Sequence, residues 1–240
     1  MIGGLTQQVW LRGQVSALTI TPRVTVVGSR AASARGLHRA QALGRALAER
    51  GALVISGGAV GVDGAAHEGA LQAGGSTCAV LGTGVDKVYP ARHADLFEAI
   101  TRRGCLLSMF ELGEPPRRAH FPQRNQLMAA LAEVVIVIEA SPRSGTQSTA
   151  RAARDYGRKV LCFPDSPGTQ LLAQTGATAV NSVVEVLPCM REPTIAPLHH
   201  NAGFAVKAAV PRADLPSLIR RIKEHGGTDI VVFGIAQIVP

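Results

Sequence analysis

Six short apolar runs recur along the first two thirds of this chain, and each is followed by a stretch of different character. The runs are Val24–Val27, Leu53–Ser56, Thr77–Leu81, Cys105–Ser108, Val134–Ile138 and Val160–Phe163, rich in β-branched residues and apolar throughout rather than at alternate positions. That pattern belongs to strands covered on both faces. Between them lie Ala34–Arg50, Gly61–Ala73, Ala94–Arg103, Asn125–Ala132 and Gln147–Tyr156, rich in Ala, Leu, Arg and Glu, the composition of helices. Gly51, Gly74 and Gly104 stand where left-handed helix ends are wanted. Strand and helix alternating through such short connections imply right-handed crossovers and a doubly wound, mostly parallel α/β sheet. A further pair, Leu171–Gln174 and Asn181–Leu187, closes it.

Four segments are expected: residues 1–23 as an irregular extension with one strand near Val9–Leu11, 24–187 as the Rossmann-like domain, 188–202 as a Pro-containing linker, and 203–240 as a small β-α-β unit. That last unit reads as strands Phe204–Val210 and Asp229–Val239 around a helix Asp214–His225. Two strands and one helix bury too little to stand alone, so an assembly or regulatory role is expected of it. No apolar run approaches the ~20 residues that span a bilayer, and the first ten residues lack the order of a secretion signal. Cys78, Cys105, Cys162 and Cys189 are far apart and match no metal-binding spacing. They read as reduced thiols of a cytoplasmic protein without metal or cofactor.

In a doubly wound sheet, ligands bind where strand ends lead into helices. Three such turns carry unusual chemistry here. Gly28, Ser29 and Arg30 follow the first run; Ser56, Gly57, Gly58 and Gly61 follow the second; Arg143, Ser144, Gly145 and Thr146 follow the fifth. The glycine turn at a helix start is an anion site by geometry and dipole, or else a packing device. The net charge of +8, mostly arginine, suits a polyanionic partner, since the guanidinium fork matches phosphate; a GC-rich genome explains it equally. The dinucleotide fingerprint and the P-loop pattern are both absent. Pro115 and Pro116 lead into Arg117, Arg118, His120, Phe121 and Arg124, an aromatic among cations, as a single strand of nucleic acid requires for stacking and backbone tracking. Alternatively Phe121 anchors the loop. Asn125 sits at an expected N-cap. Asp63 and His67, one turn apart, pair on one helix face, for catalysis or merely for orientation. Glu139 binds a sugar hydroxyl or holds Arg143. His199-His200 falls in the linker.

Together these motifs resemble the DNA-processing protein A (Smf) family: Gly28-Ser29-Arg30, Ser56 to His67, Gly74 to Pro90, Phe121 to Asn125, and Ser144 to Arg158, in order. The resemblance implies an extended Rossmann-like domain that binds single-stranded DNA, dimerises and assists loading of the recombinase RecA in natural transformation, with no catalytic residue. It implies that Gly28, Ser29, Arg30, Gly57, Gly58, Phe121, Arg124 and Asn125 grip DNA phosphates, with the glycines clearing space for the nucleic-acid backbone. Met109 replaces a Glu frequent in relatives, the loop after Phe163 looks short, and neither an N-terminal helical module nor a C-terminal winged helix is visible. The final ~35 residues are instead similar to the regulatory end of long-form ATP phosphoribosyltransferases. The rival reading is a nucleotide-binding enzyme or sensor, like the cytokinin-activating phosphoribohydrolases. Their pattern places a catalytic Glu three residues after the Thr of a Gly-Thr turn, and Thr149 stands there instead.

Overall fold

The computed structural model describes residues 8–186, 194–197 and 204–207. The chain divides into two compact units, Met1–Met190 and Arg191–Pro240. In the first, eight strands form one sheet: β1 (Trp10–Gly13), β2 (Arg23–Val27), β3 (Leu53–Ser56), β4 (Thr77–Val80), β5 (Cys105–Ser108), β6 (Val134–Val137), β7 (Lys159–Cys162) and β8 (Thr178–Ala179). Their order is β1-β5-β4-β3-β2-β6-β7-β8. All neighbours are parallel except β1, which runs antiparallel to β5 with Trp10 opposite Ser108.

Why the runs are apolar throughout is visible in the packing. Along β3, Leu53 and Ile55 face one core layer while Val54 faces the other. Along β6, Val135 and Val137 face the first layer, and Val134 and Ile136 the second. Neither face meets water, so no position favours a polar side chain. The helices α1 (Ala34–Glu49), α2 (Val62–Gln72), α3 (Ala94–Arg103), α4 (His120–Leu131), α5 (Gly145–Asp155), α6 (Pro167–Gln174) and α7 (Val183–Val186) cover these layers. Cys78, Cys105 and Cys162 are free and buried; Cys189 lies outside the described residues.

Several expectations change. The N-terminal strand lies at Trp10–Gly13 and belongs to the main sheet, and the 3-10 turn Val15–Thr19 after it buries Ala17 and Leu18 in the core. An irregular extension would have left those side chains in water. Leu171–Gln174 is the end of α6, followed by the short β8. Gly51 and Gly74 are left-handed as anticipated, with φ of 74° at each, but Gly104 is extended at φ −150°. Within the expected linker, β9 (Thr194–Pro197) pairs antiparallel with β10 (Phe204–Lys207), where Phe204 opens the anticipated strand. The helix Asp214–His225, the strand Asp229–Val239 and the pair His199-His200 lie outside the described residues.

The strand order places the site. From β2 the chain moves outward through β3, β4 and β5, then returns to β6 on the other side of β2. The helices that follow β2 and β6 therefore pack on opposite faces of the sheet, and the carboxyl ends of these two neighbouring strands form its switch point.

Candidate nucleic-acid interface

At the carboxyl ends of the strands lie two buried groups of opposite charge, Arg124 and Asp63, which act on each other without direct ion-pair contact. Arg124, on the second turn of α4, is 4% exposed and donates through Nη1 to the carbonyl of Val80 at 3.1 Å. Its guanidinium reaches the floor of the turn after β3 because Gly57 has no side chain: a Cβ there would overlap Nη1 and lie 2.6 Å from Oδ2 of Asp63. Asp63, in the first turn of α2, is also buried and accepts from the N–H of Ala59 at 3.4 Å. Burial pushes its carboxyl above the ordinary value while Arg124 pulls it back down, and burial lowers Arg124 while Asp63 supports it. The N–H of Ala59 in this turn thus meets the protein's own carboxylate, and the vacant side of Gly57 holds Arg124. Gly58, with φ 66°, packs against Phe97, and a side chain at Gly61 would strike the carbonyl of Arg30 at 2.7 Å.

Asp63 and His67 do not act as a dyad. The hydroxyl of Thr77 donates to the carbonyl of Val54 at 2.8 Å, so it accepts from Nδ1–H of His67 at 2.7 Å. Nε2 is left without a hydrogen-bond partner, and burial lowers the histidine to about 3. His67 is a neutral core residue.

Above the buried pair is an open aromatic and cationic rim. The guanidinium carbon of exposed Arg30 stands 5.0 Å from the centre of the Phe121 ring, and that of Arg124 lies 5.8 Å from the same ring. Tyr89, 43% exposed, tilts against Phe121 with centroids 6.0 Å apart. Phe121 is placed by an earlier helix start than the sequence suggests. α4 begins at His120, whose Nδ1–H donates to the carbonyl of Gly82 at 3.1 Å and whose ring stacks on Phe110 at 3.9 Å. Pro122 falls in the first turn, where its missing N–H costs nothing. Asn125 is therefore inside the helix and no cap. Its amide donates to the carbonyl of Gly145 at 3.2 Å and the hydroxyl of Ser148 at 3.0 Å, joining α4 to α5.

The three turns do converge. Ser29 N–H donates to the carbonyl of Glu139 at 2.7 Å, and the Thr146 hydroxyl donates to the carbonyl of Gly28 at 3.3 Å. Several of the anticipated ligand groups are spent internally, however. Ser56 Oγ donates to Val26 at 2.6 Å, Ser29 Oγ accepts from Ala31 N–H at 3.1 Å, and Ser144 Oγ donates to Ser141 at 2.9 Å. Gly28 lies against Val62. Glu139 neither holds Arg143 nor faces open space; its carboxylate accepts from Ser33 N–H and hydroxyl at the start of α1. Arg117 pairs with Glu114 at 2.8 Å, and Arg143 is exposed. Thr149 is buried. Sequence reasoning missed Tyr89 and the partnership of Asp63 with Arg124. Tyr89 had a signal, an aromatic before a proline in the loop after a buried strand, but nothing local to α2 points to Arg124.

Residues 5–191 match the family model of DNA recombination-mediator protein A. A DNA processing protein DprA of Mycobacterium tuberculosis is 42% identical over 185 residues, covering 74% of this chain and 48% of that protein. The crystal structure of DNA processing protein A from Streptococcus pneumoniae superimposes with a TM-score of 0.71 at 40% identity, covering 75% of this chain and 65% of the other. DNA processing protein A from Helicobacter pylori, described for its single-stranded DNA binding mode, gives 0.71 at 28% identity, covering 76% and 86%. Residues 170–237 match the HisG C-terminal domain model, in line with the resemblance of the chain's end to ATP phosphoribosyltransferases. The chain spans about half the length of the M. tuberculosis relative. Over the length of that first match and at these identities, the chain belongs to the DNA recombination-mediator protein A family.

Proposed function

We propose that the chain binds single-stranded DNA on the Arg30–Phe121–Tyr89 rim, without bond chemistry of its own, and hands the strand to a recombinase of the RecA class as a homodimer. The observation that carries the reading is the stack of Arg30 over Phe121 at the switch point of the sheet, 5.0 Å from ring centre to guanidinium carbon. A base has a π-face that such a ring accepts whatever its identity, while Arg30 neutralises the adjacent phosphate. The cation is in excess at this place: Arg30 and Arg124 both act on the one buried carboxylate of Asp63. Phosphate contact falls to Arg30, because Arg124 is buried and engaged. The Gly57-Gly58 turn acts from below, as the seat of Arg124.

The test is fluorescence anisotropy with single-stranded and duplex oligonucleotides of equal length at about 50 and 200 mM salt. Tight, salt-sensitive binding of the single strand is expected, with Arg30→Ala weakening every sequence and reducing the salt slope by about one. Equal affinity in the variant would refute the rim. Mass in solution, by light scattering, tests the dimer, and RecA ATPase on single-stranded DNA tests the hand-over.

A further inference from the structure

Two glycines bring α1 and α2 into backbone contact: a Cβ on Gly44 would meet the carbonyl of Ala66, and one on Gly69 that of Gln41. Toward the starts of the two helices an open groove of about 370 Å³ remains, within the size range of small-ligand pockets, roughly 300–1,000 Å³. Leu37, His38 and Gln41 line it from α1, Gly61 from the residue before α2, Glu68 from α2, and His93 from the turn before α3. Gly61 is the link to the rim, since a Cβ there would lie 2.7 Å from the carbonyl of Arg30.

We propose that this groove is a second nucleotide subsite, taking the base next to the one stacked on Phe121 and preferring a base with an exocyclic amine, such as cytosine, over thymine. The inference rests on the single-strand reading above. No lysine or arginine lines the groove, and Glu68 repels phosphate, so the backbone stays with Arg30 outside while a base enters. Leu37, 38% exposed, offers an apolar wall. His93 donates Nδ1–H to the carbonyl of Gly58 at 3.0 Å, which fixes its ring and sets its Cε1–Nε2 edge against Gly64 in the groove wall. The Glu68 carboxylate accepts from the N4 amine of cytosine, a group thymine lacks.

The experiment compares oligothymidine with an alternating cytidine–thymidine strand, each about 20 nucleotides, longer than the ~4–16 a single site covers. Binding is read by anisotropy for the wild type, Arg30→Ala, Glu68→Ala and His38→Ala, with thermal melting to confirm that each folds. The expected result is about fivefold tighter binding of the cytosine-containing strand. Glu68→Ala erases that preference, and Arg30→Ala weakens both strands. No preference in the wild type, or one that survives Glu68→Ala, overturns the groove; if Arg30→Ala still weakens both strands, the rim stands. Binding of neither strand by the wild type overturns both.

Discussion

The guanidinium of Arg124 lies in the space that a side chain on Gly57 would occupy. This single exclusion organises the centre of the molecule. It brings a cation from α4 over the turn after β3, within the field of the buried Asp63, and it seats the helix whose first turn presents Phe121. A glycine turn that reads as a ligand cradle is here an internal socket.

Gly57→Ala therefore damages stability before it touches any ligand. The added methyl displaces a buried guanidinium from its partners, a cost of about 3 kcal/mol or more. A fall in melting temperature of roughly 10 °C is expected for a unit of this size, measured by differential scanning calorimetry.

Arg124→Met leaves Asp63 buried without its counter-charge, which costs about 3–5 kcal/mol. The double variant Asp63→Asn with Arg124→Met recovers part of that loss, because the uncompensated charge is gone. Urea unfolding of the two single variants and the double variant measures the coupling. Simple additivity would show that the two residues do not act as a pair.

Phe121→Leu keeps the apolar bulk over the buried pair and removes the π-face. Stability changes by less than about 1.5 kcal/mol, whereas single-strand affinity falls by about 1–3 kcal/mol, the worth of one base stacked on an aromatic ring. Titration of both proteins with a labelled oligonucleotide separates the two effects.

His67 makes stability depend on acid. Its value is lowered from 6.5 to about 3 in the folded protein, so between those limits the unfolded chain binds a proton that the folded chain excludes. Stability is complete above pH 6.5 and declines as pH falls toward 3, by about 1.4 kcal/mol per unit. His67→Asn flattens that decline. Urea midpoints of both proteins at several pH values between 4 and 7 provide the check.

Much of this was legible in the chain. Runs such as Val134–Val137 declare buried parallel strands because both faces of the sheet exclude water. Ser33 before α1 and the Ser166–Thr169 pair at α6 are local caps whose donors and acceptors lie three residues apart. The start of α4 was not legible, because His120 is held by the Gly82 carbonyl and by Phe110, both distant in sequence. The strand near Val9–Leu11 was legible, but its place at the edge of the main sheet was not, because its hydrogen-bond partners are nearly a hundred residues away.

The sequence by itself determined the layers, the strand–helix alternation, and the place of the Gly28–Arg30, Gly57 and Arg143–Thr146 turns at the carboxyl ends of the strands, since periodicity and turn chemistry are local properties. Only the tertiary structure decided what each group faces. Whether a glycine's vacant side receives a phosphate or an arginine depends on which helix crosses it, and that is set by packing between residues as far apart as Gly57 and Arg124.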